Sequence, residues 1–341
     1  MEKKISLSGV KPSGTPHVGN YLGMIKPALE MVKEYQAIYF IADYHALTTV
    51  RDGKELRFLS YEVAATFLAL GMDPNEVVFF RQSDVPELFE LTWILNCYTP
   101  KGLLNRAHAY KAAVDSNIEL GRDPDTGINT GLYTYPTLMA ADILLYGSHV
   151  VPVGQDQRQH VEITRDIAMA FNHNYGEILV VPEAVIREEV ATVPGIDGRK
   201  MSKSYDNVIP IFAPSKQIRK AVMRVVTDSS RPEDPKNPDQ DNVYNIYKYF
   251  APPERLQEVR QLYLNGGLAY SDIKQELFEM IDSTFSEART QYNEYLNDHD
   301  LLDRILLEGA QKARIIGNRI MRKVRKAVGV RYDRELQFES K

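Results

Sequence analysis

The chain has 341 residues, 44% of them apolar and 26% charged, which at about 150 residues per domain is room for roughly two domains. Such ordinary globular composition excludes a disordered, collagen-like or disulfide-stapled chain, and the single cysteine, Cys97, also excludes a multi-cysteine zinc site or an iron–sulfur cluster and fits a reducing compartment. With 41 Lys and Arg against 46 Asp and Glu the net charge is -5, so any nucleic-acid surface has to be a local patch.

From Lys4 to about Pro182, short β-rich runs alternate with longer segments of helical period, the pattern of a parallel sheet covered by helices. Ile5 to Val10 reads as the first strand. A Pro- and Gly-containing loop follows from Lys11 to Asn20, then a helix near Tyr21 to Tyr35, bent at Pro27. Ala37 to Ile41 is the second strand. Leu56, Leu59, Val63, Phe67 and Leu70 make one stripe of a helix from Lys54 to Leu70, with Gly71 as its stop. Val77 to Phe80 is the third strand. Helices are expected at Pro86 to Tyr98, carrying Trp93 and Cys97 into the core, and at Lys101 to Asp115, before a polar loop from Ser116 to Thr130. A further helix spans Pro136 to Tyr146, with its proline near the first turn. Strands at His149 to Val153 and Ile178 to Val181 bracket a helix from about Asp156 to Phe171.

After about Asn207 there is helical periodicity without strand alternation, so a second, all-helical domain is expected. Ser229 to Asn242, with Pro232, Pro235 and Pro238, is a connector within it. No apolar run has signal-peptide length or approaches the ~18 residues of a membrane span, which predicts a cytoplasmic protein with no membrane partner.

Four stretches carry chemistry. The loop after the first strand delivers Ser13, Gly14, His17, Gly19 and Asn20 to a helix start at the carboxyl edge of a parallel sheet, where nucleotides bind. Backbone N–H groups there suit phosphate, Gly19 leaves room for a nucleobase, and His17 and Asn20 offer donors; an ordinary βα turn with an Asn cap is the alternative. Gly195 to Ser204 places glycines and cations in one loop, where lysines would neutralise a departing pyrophosphate, or simply be solvated. In Val151 to His160, Asp156 either meets ribose hydroxyls or caps a helix. Asp142 has Leu138, Met139, Leu145 and Tyr146 at helical spacing, so its carboxylate sits on an apolar face. It then needs a donor, supplied by an internal salt bridge or by a ligand such as an indole N–H.

Lys200-Met201-Ser202-Lys203-Ser204 matches the KMSKS signature of class I aminoacyl-tRNA synthetases in full, and His17-Val18-Gly19-Asn20 resembles their HIGH signature, departing at Val18 and Asn20. Gly154-Gln155-Asp156-Gln157 resembles the GxDQ motif of the tryptophanyl and tyrosyl enzymes. Tyr133 to Tyr146 is similar to bacterial tryptophanyl-tRNA synthetases, as are Asp43 to His45, Arg106 to Lys111 and Val226 to Ser229.

The resemblance implies a Rossmann-like catalytic domain over residues 1–192 with an insertion or dimer region at about 86–135, a KMSKS loop at 193–206, and a helical anticodon-binding domain with a basic helix over 207–341. It implies ATP with Mg2+, L-tryptophan and tRNA(Trp) as partners, and a homodimer. His17, Asn20, Lys111, Lys200 and Lys203 are then the catalytic set. Lys11, Ser13, Gly14, Gly19, Gly154, Asp156, Met201, Ser202 and Ser204 join Asn20 on ATP. Leu7, Ser8, His45, Tyr135, Met139, Val151, Val153 and Gln157 line a tryptophan pocket in which Asp142 reads the indole nitrogen. Lys11 stands where such enzymes often carry Gln. A tyrosyl enzyme, a non-catalytic synthetase-like binder and another nucleotidyl transferase are the rival readings. No protein-held metal is expected, since His108, His149 and His173 lack ligand spacing. In the tail, Ile316, Ile320, Val324 and Val328 form a docking stripe, and Arg319, Arg322, Lys323 and Lys326 a surface for tRNA or for solvent.

Overall fold

The structure is a computed structural model that describes residues 3–186 and 193–330, apart from the side chain of Asp156. Five parallel strands, β1 (Ile5–Val10), β2 (Gln36–Ile41), β3 (Val78–Arg81), β4 (Val150–Pro152) and β5 (Glu183–Val185), lie in the order β3-β2-β1-β4-β5. Chain order reverses between β1 and β4, which opens a crevice at their carboxyl ends. In register, Ile5 to Val10 face Gln36 to Ile41, so the loops after β1, β2 and β4 emerge at that crevice.

The period-2 rule divides the core. Ala37, Tyr39 and Ile41 of β2 face one cluster; Ile38 and Phe40 face the other. Between β1 and β2, α1 (Val18–Asn20), a π-helical turn (Tyr21–Ile25) and α2 (Lys26–Met31) replace the single bent helix expected, and Pro27 sits in the first turn of α2. After β2 come α3 (Asp43–Ala46) and α4 (Gly53–Ala69), the latter capped by Asp52, which accepts from Lys54 N at 2.7 Å. Beyond β3, a tight turn at Gln82–Asp84 leads to α5 (Glu87–Asn96), α6 (Lys101–Leu104), α7 (His108–Glu119) and α8 (Thr130–Leu145). β4 is followed by α9 (Arg158–Tyr175).

Several expectations shift. α8 begins at Thr130, capped by Asn129, so Pro136 is interior to it rather than in its first turn. α7 runs on to Glu119, and Asn117 ties the following turn by donating to Pro124 O and Thr126 O. The last strand is Glu183–Val185, not Ile178 to Val181, because Asn172 of α9 takes over that backbone: its side chain accepts from Ile178 N and Leu179 N and donates to Leu179 O. Trp93 and Cys97 are not core residues. α5 turns Leu88, Leu91 and Leu95 inward, and Trp93, roughly 200° around the helix from Leu91, is 71% exposed.

The remaining helices, α10 (Ser215–Met223), α11 (Asn242–Tyr247), α12 (Pro253–Asn265), α13 (Tyr270–Asn297) and α14 (His299–Val328), share the first cluster with α4, through residues such as Phe285 and Tyr292. The proline-rich connector is built around Lys236, whose buried ammonium donates to the carbonyls of Arg231, Pro232 and Asp234. α14 returns to the sheet. Its Gly309 meets the β3 backbone so closely that a Cβ would fall 1.7 Å from Phe79 O, which leaves this edge strand covered. Ile316, Ile320, Val324 and Val328 pack on the second cluster, as the tail pattern predicts.

Candidate active site

The crevice collects two chemically distinct groups of residues. On the nucleotide side His17 caps α1: Asn20 N donates to His17 Nδ1 at 3.3 Å, and His17 N donates to Asn20 Oδ1 at 3.2 Å. Burial, and then the charge of Lys203, push the His17 pKa down to about 4. The ring is therefore neutral near pH 7, and because Nδ1 accepts, the proton is on Nε2, free to donate to a phosphate oxygen.

The KMSKS loop is sewn to this loop. Lys203 Nζ donates to Ser13 O at 2.8 Å, Gly19 N donates to Met201 Sδ at 3.3 Å, and Val18 N donates to Ile209 O at 2.9 Å. Gly14 has φ +91° and a Cβ there would lie 3.3 Å from Lys203 Nζ, so the backbone geometry that brings the lysine in requires glycine. Asn207, absent from every motif, anchors the loop internally. It is buried, accepts from Ser202 N at 2.8 Å, and donates to Asp197 Oδ1 at 2.6 Å and Lys200 O at 3.1 Å. Lys200 and Ser204 are exposed. Lys111 is exposed on α7 and, among the described residues, no hydrogen bond joins it to the other predicted catalytic residues.

On the other side, α8 carries Tyr135, Met139 and Asp142, α3 carries His45, β1 carries Leu7 and Ser8 mid-strand, and β4 supplies Val151 just before Val153. Leu7, Asp142 and Val151 are buried; Met139 and Val153 pack on the same cluster. The ring of His45 stands edge-on to Tyr135, whose hydroxyl bonds His160 Nε2 and whose pKa burial pushes up to about 12. Asp142 does not wait for a ligand. It already meets His45 Nε2 at 3.0 Å and accepts from Gln82 Nε2 at 2.9 Å on each oxygen. Gln82 carries no signal in the sequence, and only the turn after β3 brings it here; His160 closes the Val151 to His160 stretch, which assigns it no role, and the inner face of α9 brings it to Tyr135.

Lys11 lies between the two sides, with Nζ donating to Thr48 Oγ1 at 3.3 Å and its pKa lowered by burial. Gly154 and Gln157 are exposed at the turn after β4. The side chain of Asp156 lies outside the described residues. Among these there is no cluster of three or more His, Cys, Asp and Glu side chains arranged to hold a metal ion, and no helix long and apolar enough to cross a membrane.

A neutral histidine at a helix start, a lysine loop drawn onto it and a buried, hydrogen-bonded carboxylate thus gather around one switch point. The chain matches tRNA synthetases class I (W and Y) over residues 2–286. It belongs to that family. It is 52% identical to a tryptophan–tRNA ligase of Pseudomonas aeruginosa, over 96% of this chain and 74% of that one. A tryptophan–tRNA ligase of Neisseria meningitidis is 46% identical over 97% and 99% of the two chains. Among solved structures, a Campylobacter jejuni tryptophanyl-tRNA synthetase complexed with ADP and tryptophan superposes with a TM-score of 0.87 at 46% identity, covering 95% of this chain and 99% of that chain.

Proposed function

We infer that this synthetase is a tryptophan–tRNA ligase: it joins L-tryptophan to ATP as tryptophanyl-adenylate, releasing pyrophosphate, and passes the tryptophanyl group to tRNA(Trp). The observation that carries the reading is a buried carboxylate, Asp142, held by His45 and Gln82 on α8, whose Met139 packs in the same apolar cluster as Leu7 and Val151, in a chain about half identical to tryptophan enzymes. The carboxylate of tryptophan attacks the α-phosphorus, the bond to the β-phosphate oxygen breaks, and the pair leaves with pyrophosphate. No general base is required. The residues position and neutralise: His17 through Nε2 and Asn20 on the phosphates, Lys200, Lys203 and Lys111 on the charge that builds on pyrophosphate, and Lys11 near the amino-acid carboxylate. Gly154 and Asp156 serve the ribose. Mg2+ enters with the phosphates of ATP.

The tRNA of the second step is assigned to α10–α14, with the cations of α14 as its phosphate-facing surface. Phe89 and Trp93, one turn apart on α5 and both exposed, offer an apolar strip that a second copy covers; a stable species of one chain mass by light scattering would oppose that dimer. The reducing compartment suited to Cys97 is the cytoplasm. The test of the whole reading is amino-acid-dependent exchange of pyrophosphate into ATP with each of the twenty amino acids. Tryptophan alone should support it; preference for tyrosine, or no exchange with any, overturns it.

A further inference from the structure

Gln82 is 1% exposed in the turn between β3 and α5. Its two polar ends look alike, but their partners do not. One end accepts from Tyr44 N at 3.1 Å, which a backbone N–H permits only to oxygen, so the end on Asp142 is the amide NH2. The turn itself is locked to α3: Asp43 accepts from Ser83 N at 3.1 Å and Ser83 Oγ at 2.5 Å, and from Tyr44 N at 3.0 Å. The backbone under Gln82 is therefore fixed, and swinging its side chain away would break its bonds to Asp142 and Tyr44 N.

We propose that Gln82 is the positioning residue for amino-acid choice, holding Asp142 ionised and aimed so that it discriminates for an indole N–H. The proposal rests on the reading of Asp142 given above. The groups facing Asp142 are few. From α3 there is His45, from the turn Gln82, and from its own helix Tyr146, a buried phenol whose pKa is raised by burial and then by Asp142. From α5, Glu87 acts on Tyr146, and from α9, His160 is taken up by Tyr135. Burial drives Asp142 toward its neutral form, and the bonds from His45 and Gln82 oppose it. A neutral carboxyl is a poorer acceptor, since charge-assisted bonds are about twice as strong as neutral ones.

The experiment uses the full-length enzyme and two amino acids of one shape: tryptophan, and its analogue with sulfur in place of the ring N–H. The apparent affinity for each is measured in pyrophosphate exchange from pH 6 to 9 for wild type, Gln82→Met and Gln82→Glu. Wild type should favour tryptophan by roughly 10–100-fold, the scale of one hydrogen bond to a charged group, with little pH dependence. In Gln82→Met the preference should fall to a few-fold at pH 6 and recover as rising pH ionises Asp142. Gln82→Glu, which shares one proton with Asp142 at pH 6 and keeps an acceptor for Tyr44 N, should restore most of the preference there. Should the Met variant not fold, the Glu variant at pH 6 still decides. A packing role alone would weaken both amino acids equally at every pH. Wild-type preference in Gln82→Met across the range, or its loss in Gln82→Glu at pH 6, overturns the role of Gln82 and leaves Asp142 as the reader. A wild type without preference overturns Asp142 itself.

Discussion

The nucleotide side and the amino-acid side of the crevice are held by different kinds of interaction. Asp142 and Gln82 are buried on a packed helix and in the turn after β3, joined to each other and to the half-buried His45 beside the second core cluster. Lys203 and Ser13 are exposed, and the tie between them is one side-chain-to-carbonyl bond. The network around Asp142 is thus already assembled, whereas the Lys203 ammonium, on a loop anchored by Asn207 and Met201, rests on one bond that a phosphate oxygen can replace. On the proposed reading, selection and acceleration are separated in space: the packed network around Asp142 would recognise the side chain, and the lysines of the loop would meet the charge that builds on the phosphates.

The largest break in that comparison comes from the loop. Lys200→Ala or Lys203→Ala should lower the rate of adenylate formation by about 10²–10³, the scale for losing one donor to developing charge, while the tryptophan affinity changes no more than a few-fold. Single-turnover activation measured beside equilibrium tryptophan binding separates the two. Unchanged activation in either variant removes that lysine from the reaction.

His17 gives the next effect, through protons rather than through packing. Its folded pKa is about 4 against 6.5 for the free side chain, so between those values the unfolded chain binds the proton more readily. The associated stability is fully present above about pH 6.5 and is lost as pH falls toward 4. At 1.36 kcal/mol per unit the limit is on the order of 3 kcal/mol. Urea unfolding at pH 7, 5.5 and 4.5 should show this loss in wild type and a smaller one in His17→Gln. Parallel curves would mean that the histidine is not held neutral.

The sequence discloses these two sides unequally. KMSKS and His17 to Asn20 are contiguous, so backbone geometry preserves them as strings; the strands and the stripe of α4 are likewise local patterns. Gln82 and Asn207 have no such signature. Each is a single amide whose role exists only because the turn after β3 meets α8, or because a loop folds back on Ser202 and Lys200. The displaced last strand has the same origin, since Asn172 competes for the backbone at Ile178 and Leu179 from another element. The exposure of Trp93 is hidden for a different reason: α5 mixes Leu88, Leu91, Trp93, Ile94 and Leu95 with acidic residues of which Glu87 is buried by Arg314, so polarity alone does not mark the stripe it buries.

The smallest effect on activation should come from a surface remote from both sides, and it checks that the changes above are local. On α14 the basic side chains fall into two sets. Arg314 is paired with Glu87 at 2.9 Å and Arg325 with Glu90 at 2.5 Å, so these cations fasten the helix to α5. Arg319, Arg322 and Lys323 are exposed on the outer face, which leaves them able to meet phosphates. Replacing all three with Gln removes their charge without opening the docked stripe of Ile316, Ile320 and Val324. Adenylate formation should change less than about twofold, tRNA affinity should fall, and the slope of log affinity against log salt should shrink by roughly 0.7–0.9 for each phosphate that is no longer neutralised. The slope is the decisive quantity, because a helix that merely loosened would weaken tRNA binding without altering how many counterions are released. Equal damage to adenylate formation and tRNA binding at an unchanged salt slope would make this face structural.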